Sequence, residues 1–283
     1  MLDGAAKRTD REPPGAKFAL PVSGLAVALR RSTGTEEILL AEGRPDDPAL
    51  ALALVESLAW SCEAVDWAAL CIADIDHLIV RLRQAILGDR VVTDIHCTDP
   101  ACGSRMDVSF GLDEFLAHHR PMRAPARGRF WAAEVCADEP GWFVARSPKG
   151  DEAVFRLPSI GDLIQAASTP KPDEFLASAC IGPGCASPRS RGLAERAMAA
   201  LAPPLSGPIG GVCPQCATAV SAHFDARVYC LRELCDRARF IYEDVDTLAQ
   251  RYHWSETAIL SLPNDRRSQY ADLARQARLA VGG

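Results

Sequence analysis

With 283 residues, 48% of them hydrophobic, the chain has material for one large domain or two modest ones around a sizeable core. Its 37 acidic against 31 basic side chains leave a formal net charge of −6, which argues against a general binder of nucleic acid or of anionic membranes. The 11 cysteines are an odd number and cannot all pair. No signal peptide is legible in the charged, proline-containing start, and the longest apolar stretch, PALALALVESLAW, is too short to span a bilayer. These features describe a soluble protein of a reducing cytoplasm, where clustered cysteines bind metal and isolated ones are buried.

Residues 1–17 read as a disordered polar arm. From Phe18 the segments FALPVSG, LAVALRR and EEILLA suggest a small β-meander broken at Gly24 and Gly34. DPALALALVESLAWSC follows as a helix, with Asp47 as its cap and Pro48 in its first turn. A second helix is expected after Asp74, where Ile75, Leu78, Ile79, Leu82 and Ile86 keep helical spacing up to Gly88. RVVTDIHC and RMDVSF are the arms of a hairpin, and GLDEFLAHH is a short helix closing a first α+β region at 18–119.

Residues 120–157 open with a Pro/Arg/Gly linker, RPMRAPARGRF, and continue as three short strands. The last region, 158–283, is expected to be mostly helical. Ser159 and Asp162 have the spacing of a capping box, PDEFLASACI and GLAERAMAALAP are helices, and PPLSGPIGG is a loop. Asp225 then caps what reads as the longest helix, with Val228, Leu231, Leu234, Ala238, Ile241, Val245 and Leu248 on one stripe. Two further helical segments, SETAILSLP and DRRSQYADLARQARL, end the chain. The expected class is α+β, β-rich in its N-terminal and middle regions and helical toward its C-terminus.

The chemistry is concentrated in two cysteine pairs. Cys97 and Cys102 lie in HCTDPACG, and Cys213 and Cys216 in VCPQC; each pair runs into strand-like text. Such a pair on a tight turn is half of a zinc ribbon, and two halves provide the four sulfurs that tetrahedral zinc takes. We therefore expect Cys97, Cys102, Cys213 and Cys216 to share one structural Zn2+, joining distant parts of the chain as a split zinc ribbon. Cys180 and Cys185, at the same spacing as the first pair, are rival partners for the second. A redox pair at Cys213/Cys216 would need a helix N-terminus, where the text reads as strand. Cys62, Cys71, Cys136, Cys230 and Cys235 sit in apolar periodic text and are assigned to the core.

Among the histidines only His96 adjoins a pair; His118 and His119 end a helix, and His253 is expected to pack. No phosphate-binding glycine loop, nucleophile elbow or His-Glu-x-x-His motif is present, so an enzyme is not expected. Glu243, Asp244 and Asp246 are read as a solvated helix face, and Arg120, Arg123, Arg127 and Arg129 as a solvated linker.

The order of these pieces resembles the baseplate-hub assembly chaperone family of T-even-type contractile phages and of phage-derived contractile injection systems. The segments that carry it are LPVSG before EEILLAEG, DIDHLIVRLRQAILGDR before IHCTDPACGSRMDVSF, FRLPSIGDLIQAA, and the long stretch from CPQC to SQYADL. The resemblance spans about residues 18–275. The first cysteine gap is wider than that family's ribbons show, and the Cys180/Cys185 pair is an addition. The resemblance implies a non-enzymatic tail or baseplate-assembly factor whose partners are other baseplate or hub proteins, with no small-molecule substrate, no membrane and no nucleic acid. Tyr252, Trp254 and Tyr270 are the aromatics suited to anchor such an interface. The alternative is a zinc-ribbon protein that binds nucleic acid or regulates.

Overall fold

The computed structural model describes residues 16–182, 185 and 187–281, with side chains as far as residue 277. Most of the arm expected at 1–17 lies outside the described residues. Phe18–Ala19 (β1), Ala26–Leu29 (β2) and Ala59–Trp60 (β3) form a small antiparallel sheet. Two helices separate β2 from β3: Gly34–Glu42 (α1) and Pro48–Leu58 (α2). The strand expected at EEILLA is therefore corrected to a helix. The Glu36 carboxylate accepts the Thr33 backbone N–H at 2.8 Å, a capping-box bond that favours helix over strand. Gly34 does not break it either; it lets α1 approach Leu260, whose Cα would lie 2.8 Å from an added Cβ. The start of α2 is as expected, with Asp47 accepting the Ala49 N–H at 2.8 Å.

A 3-10 turn at Trp67–Ala69 leads into Ile72–Leu87 (α3), which buries Ile75, Leu78, Ile79 and Leu82. The cap of α3 is Cys71 and not Asp74. Asp74 lies fully buried in the first turn, and its two oxygens accept the Val22 and Ser23 N–H groups at 2.9 Å each. It ties the β1–β2 turn to α3.

Arg90–His96 (β4) and Arg105–Gly111 (β5) form the expected hairpin, followed by Leu112–His118 (α4). The linker contributes a strand, Ala126–Gly128 (β6), to an antiparallel sheet with Trp131–Val135 (β7), Trp142–Arg146 (β8) and Glu152–Arg156 (β9), in sequential order. Ile160–Ala167 (α5) carries the predicted capping box, and Pro172–Cys180 (α6) and Pro188–Leu201 (α7) follow it. Ala133, Ala145 and Ala153 align across the sheet, and these small side chains let Leu193, Ala194 and Ala197 of α7 pack closely into a second core.

Ser206–Val212 (β10) and Ala219–Asp225 (β11) form a second hairpin, so the expected loop at PPLSGPIGG is largely a strand. Pro208 is tolerated there because β10 pairs only with β11, leaving one of its edges outside the ladder. The single long helix expected after Asp225 is two, Ala226–Ala238 (α8) and Ile241–Tyr252 (α9). The stripe stays buried or half-buried across the break, and both helices touch α1. Glu256–Leu260 (α10) and Asn264–Val281 (α11) complete the described chain.

The main core joins β1–α3, α4 and α5 to α8, with Leu54, Ile75, Leu78, Ile79, Cys230 and Leu231 at its centre. Two ion pairs also bind α3 to α8: Arg83 to Glu233 at 2.8 Å and Arg227 to Asp76 at 3.1 Å. Residues 18–119 are thus more helical than expected, with β-structure dominant in the middle region. The class is α+β. One expectation for the C-terminal helices is corrected. Asp244 is not on a solvated face: it is buried between Arg267 and Arg275, and Arg267 also pairs with Glu37 of α1. Tyr252 stacks on Trp254, with centroids 5.0 Å apart, and Tyr270 meets Trp254 edge to face at 5.2 Å. Their partly buried rings pack against a small core of Leu248, Ile259 and Ala271. No helix among the described residues is long and apolar enough to cross a membrane.

Candidate metal centre

The tips of the two hairpins meet. Cys97 Sγ lies 3.5 Å from Cys216 Sγ, and Cys102 Sγ 3.9 Å from Cys213 Sγ. All four sulfurs fall within 4.8 Å of one another. These distances are far beyond a disulfide bond. They bracket the ~3.8 Å edge of a tetrahedron whose centre is ~2.3 Å from each sulfur, the length of a zinc–thiolate bond. The four residues could therefore hold one tetrahedral ion. Cys97 and Cys213 are buried, Cys102 is half-buried and Cys216 faces solvent. Met106 and Val220, two residues beyond Ser104 and Thr218, cover the sulfurs from below together with Ile95.

Both tips use the same backbone device. In the second, the Ala217 N–H donates to the Cys213 carbonyl at 2.9 Å around Pro214, and the Cys213 N–H donates to Thr218 at 2.9 Å. In the first, the Gly103 N–H donates at 2.9 Å to the carbonyl of Asp99 around Pro100, and the Cys97 N–H donates to Ser104 at 2.8 Å. Asp99 thus occupies the turn position that Cys213 holds in the other tip, and Cys97 delivers its sulfur from two residues earlier. That is the structural meaning of the wider gap. Gly103 and Ala217, each directly after the second cysteine, both adopt the left-handed conformation, at φ 55° and 58°.

The local hydrogen bonds also set thiol acidity. Thr218, through its side chain and its backbone, is the main influence holding the Cys216 thiol down to about 6. For Cys97 the Asp99 backbone N–H favours the thiolate, but burial and the three neighbouring thiols outweigh it and push the group up to about 12. Four thiolates at this spacing repel one another, and a divalent cation removes that repulsion.

The other candidates stand apart from the cluster. Cys180 and Cys185 are buried, and Cys185 Sγ accepts the Val154 N–H at 3.2 Å in the second core. His96 is exposed at the end of β4 and is not among the grouped ligands. Of the cysteines assigned to the core, Cys230 is buried, Cys71, Cys136 and Cys235 are half-buried, and Cys62 is exposed. Cys62 is thus a correction: it lies in the bend beyond β3, past the apolar face of α2. His253 does not pack; it is the exposed left-handed C-cap of α9, at φ 55°.

Sequence reading missed Asp99, Ser104, Ala217 and Thr218, although a signal was present. Asp99-Pro-Ala-Cys-Gly-Ser104 and Cys213-Pro-Gln-Cys-Ala-Thr218 align without a gap. The likeness continues into the helices. Phe110 and Phe224 hold equivalent places at the ends of β5 and β11, and Phe115 and Tyr229 follow them in α4 and α8. No family model matches the chain, and no curated protein or solved structure matches it.

Proposed function

We propose that this chain is a non-enzymatic structural or assembly protein of a phage-like contractile tail baseplate or injection system, held together by one structural Zn2+ in a split zinc ribbon. The four-sulfur cluster carries the reading. All four positions of a tetrahedral ion would be protein thiolates, which leaves none open for a substrate or an activated water. A closed site of this kind contributes folding energy, on the order of 10 kcal/mol or more of apparent free energy. Here that energy would join hairpins more than a hundred residues apart in sequence. The role in baseplate assembly comes from the order of the sequence segments, and the acidic net charge favours a protein partner over nucleic acid.

The experiment is affinity purification of the tagged chain from cells expressing a complete contractile-tail gene cluster, with DNA binding measured in parallel. Specific recovery of hub or baseplate proteins is the expected result. Salt-dependent retention of DNA without those proteins would favour the nucleic-acid reading and overturn this one.

A further inference from the structure

Between α3, the segment after α4 and the turn before β10 lies a cavity of about 530 Å3, within the range of roughly 300–1,000 Å3 typical of ligand sites. Its apolar wall includes Ala73, Leu116 and Leu205, and its charged lining is the guanidinium groups of Arg81, Arg120 and Arg123 with the carboxylate of Asp113. Asp113 is engaged with Arg81, at 2.6 Å. Arg81 also donates to Gln84 at 3.0 Å and to His77 Nε2 at 3.3 Å. Burial first, and then Arg81, hold His77 down to about 4, so at neutral pH it acts as an uncharged acceptor. Arg120 and Arg123 are exposed at the rim and have no ion pair or hydrogen bond among the described residues. The cavity therefore carries two uncompensated positive charges in a chain whose net charge is −6.

We propose that this cavity binds an acidic peptide segment of a partner protein. Arg120 and Arg123 take two of its carboxylates, and the Leu116–Leu205 wall receives an apolar side chain between them. Arginine suits the task because its fork of donors matches a carboxylate geometrically and it gives up water more readily than lysine. Rim charges also steer a partner of opposite sign toward the site. Because both guanidinium groups stand open to solvent, the cavity fits a segment laid across it better than a small molecule enclosed by it. The inference goes beyond the assembly role and concerns the cavity alone.

The test is calorimetric titration of the full, zinc-loaded chain with an end-blocked hexapeptide of alternating glutamate and leucine, and separately with inorganic phosphate. The expected result is peptide binding that weakens with added salt and falls at least tenfold in the Arg120→Ala/Arg123→Ala variant. It should be unchanged in Arg129→Ala, which lies outside the cavity. Bound peptide should also raise the pH at which His77 titrates by NMR. Equal affinity in the double variant, phosphate binding without peptide binding, or no binding of either would overturn the proposal. A chain that takes the peptide but recovers no baseplate protein would overturn only the assembly role.

Discussion

The rings of Phe110 and Phe224 meet edge to face, with centroids 5.1 Å apart and planes at 87°, and each ring stands eight residues beyond the second cysteine of its own hairpin. Phe224 also meets Phe115 at 5.2 Å and Tyr229 at 5.2 Å. The two hairpins are therefore joined at both ends, by sulfur at the tips and by aromatic rings at the base. Phe224 is the centre of the aromatic end and is only 4% exposed. Phe224→Ala should lower unfolding free energy by about 3–5 kcal/mol, while elemental analysis still finds one zinc per folded chain. Loss of zinc in that variant would mean that the base of the hairpins positions the tips.

Cys102→Ser and Cys216→Ser should each abolish stoichiometric zinc and lower the melting temperature, because three sulfurs and a hydroxyl are a poor ligand set for zinc. Cys185→Ser should keep one zinc per chain. It should still cost about 1 kcal/mol or more, since it puts a hydroxyl into the second core. A wild-type protein that folds equally well after exhaustive chelation would remove the metal from the account.

Ala217 pays a steric cost that Gly103 avoids at the equivalent position. A non-glycine residue in the left-handed conformation costs roughly 1–2 kcal/mol, part of which glycine returns as chain entropy in the unfolded state. Ala217→Gly should thus stabilise the zinc-loaded protein by about 0.5–1 kcal/mol in urea denaturation. Gly103→Ala, which meets no neighbouring atom within 4 Å, should destabilise it by a similar amount through backbone strain alone.

The Arg156–Asp162 pair sets a pH dependence. Two bonds of 2.6 and 2.7 Å from Arg156, and then the Ser159 N–H and hydroxyl, hold Asp162 down to about 2, against an ordinary 3.8. Since the folded value is the lower one, the stabilisation is complete above about pH 4 and is lost as pH falls through 2. Asp162→Asn should cost about 2 kcal/mol at pH 7. The gap between wild type and variant should close between pH 4 and 2 in denaturation curves. A gap independent of pH would assign the effect to the helix cap and not to the charge.

Arg267 is 1% exposed and serves Glu37 and Asp244 at once. Arg267→Ala leaves both carboxylates buried with less compensation and should destabilise the fold by about 3–5 kcal/mol. Proteolysis should then release α9–α11 before the main core opens, because that helical group has its own small core.

The parts legible in the sequence were those specified locally. The arms of the first hairpin, the Ser159–Asp162 cap, the Asp47 cap and each of the two cysteine pairs depend on residues a few positions apart. What escaped depends on distant partners. EEILLA reads as a strand only because it follows two strand-like segments; its Glu, Leu and Ala favour helix, and the helix is recognised when Thr33 and Glu36 are read together and Gly34 is seen as the place where Leu260 comes close. Asp74 reads as the residue before a helix and Asp244 as part of a solvated helix face, yet their partners lie about fifty and about thirty residues away. The strand at Ser206–Val212 is poor in β-formers and exists because β11 pairs with all seven of its residues. The gap of four between Cys97 and Cys102 was legible but not interpretable until Asp99 was seen standing in the place of a cysteine.

The clasp at the hairpin tips has a mechanical consequence. The chain leaves the main core after α4, rejoins it at α5, where Ile160 is fully buried, and comes back again after α7, with the Met122 N–H bonded to the Ala200 carbonyl at 2.8 Å. The four-stranded sheet and α5–α7 are thus a loop of chain whose two ends are held together. With a metal bound, tension applied between a residue before Cys97 and one after Cys216 is shared by the sulfur–metal bonds, the Phe110–Phe224 contact and the α3–α8 ion pairs, and it bypasses the long stretch of chain between the two hairpins.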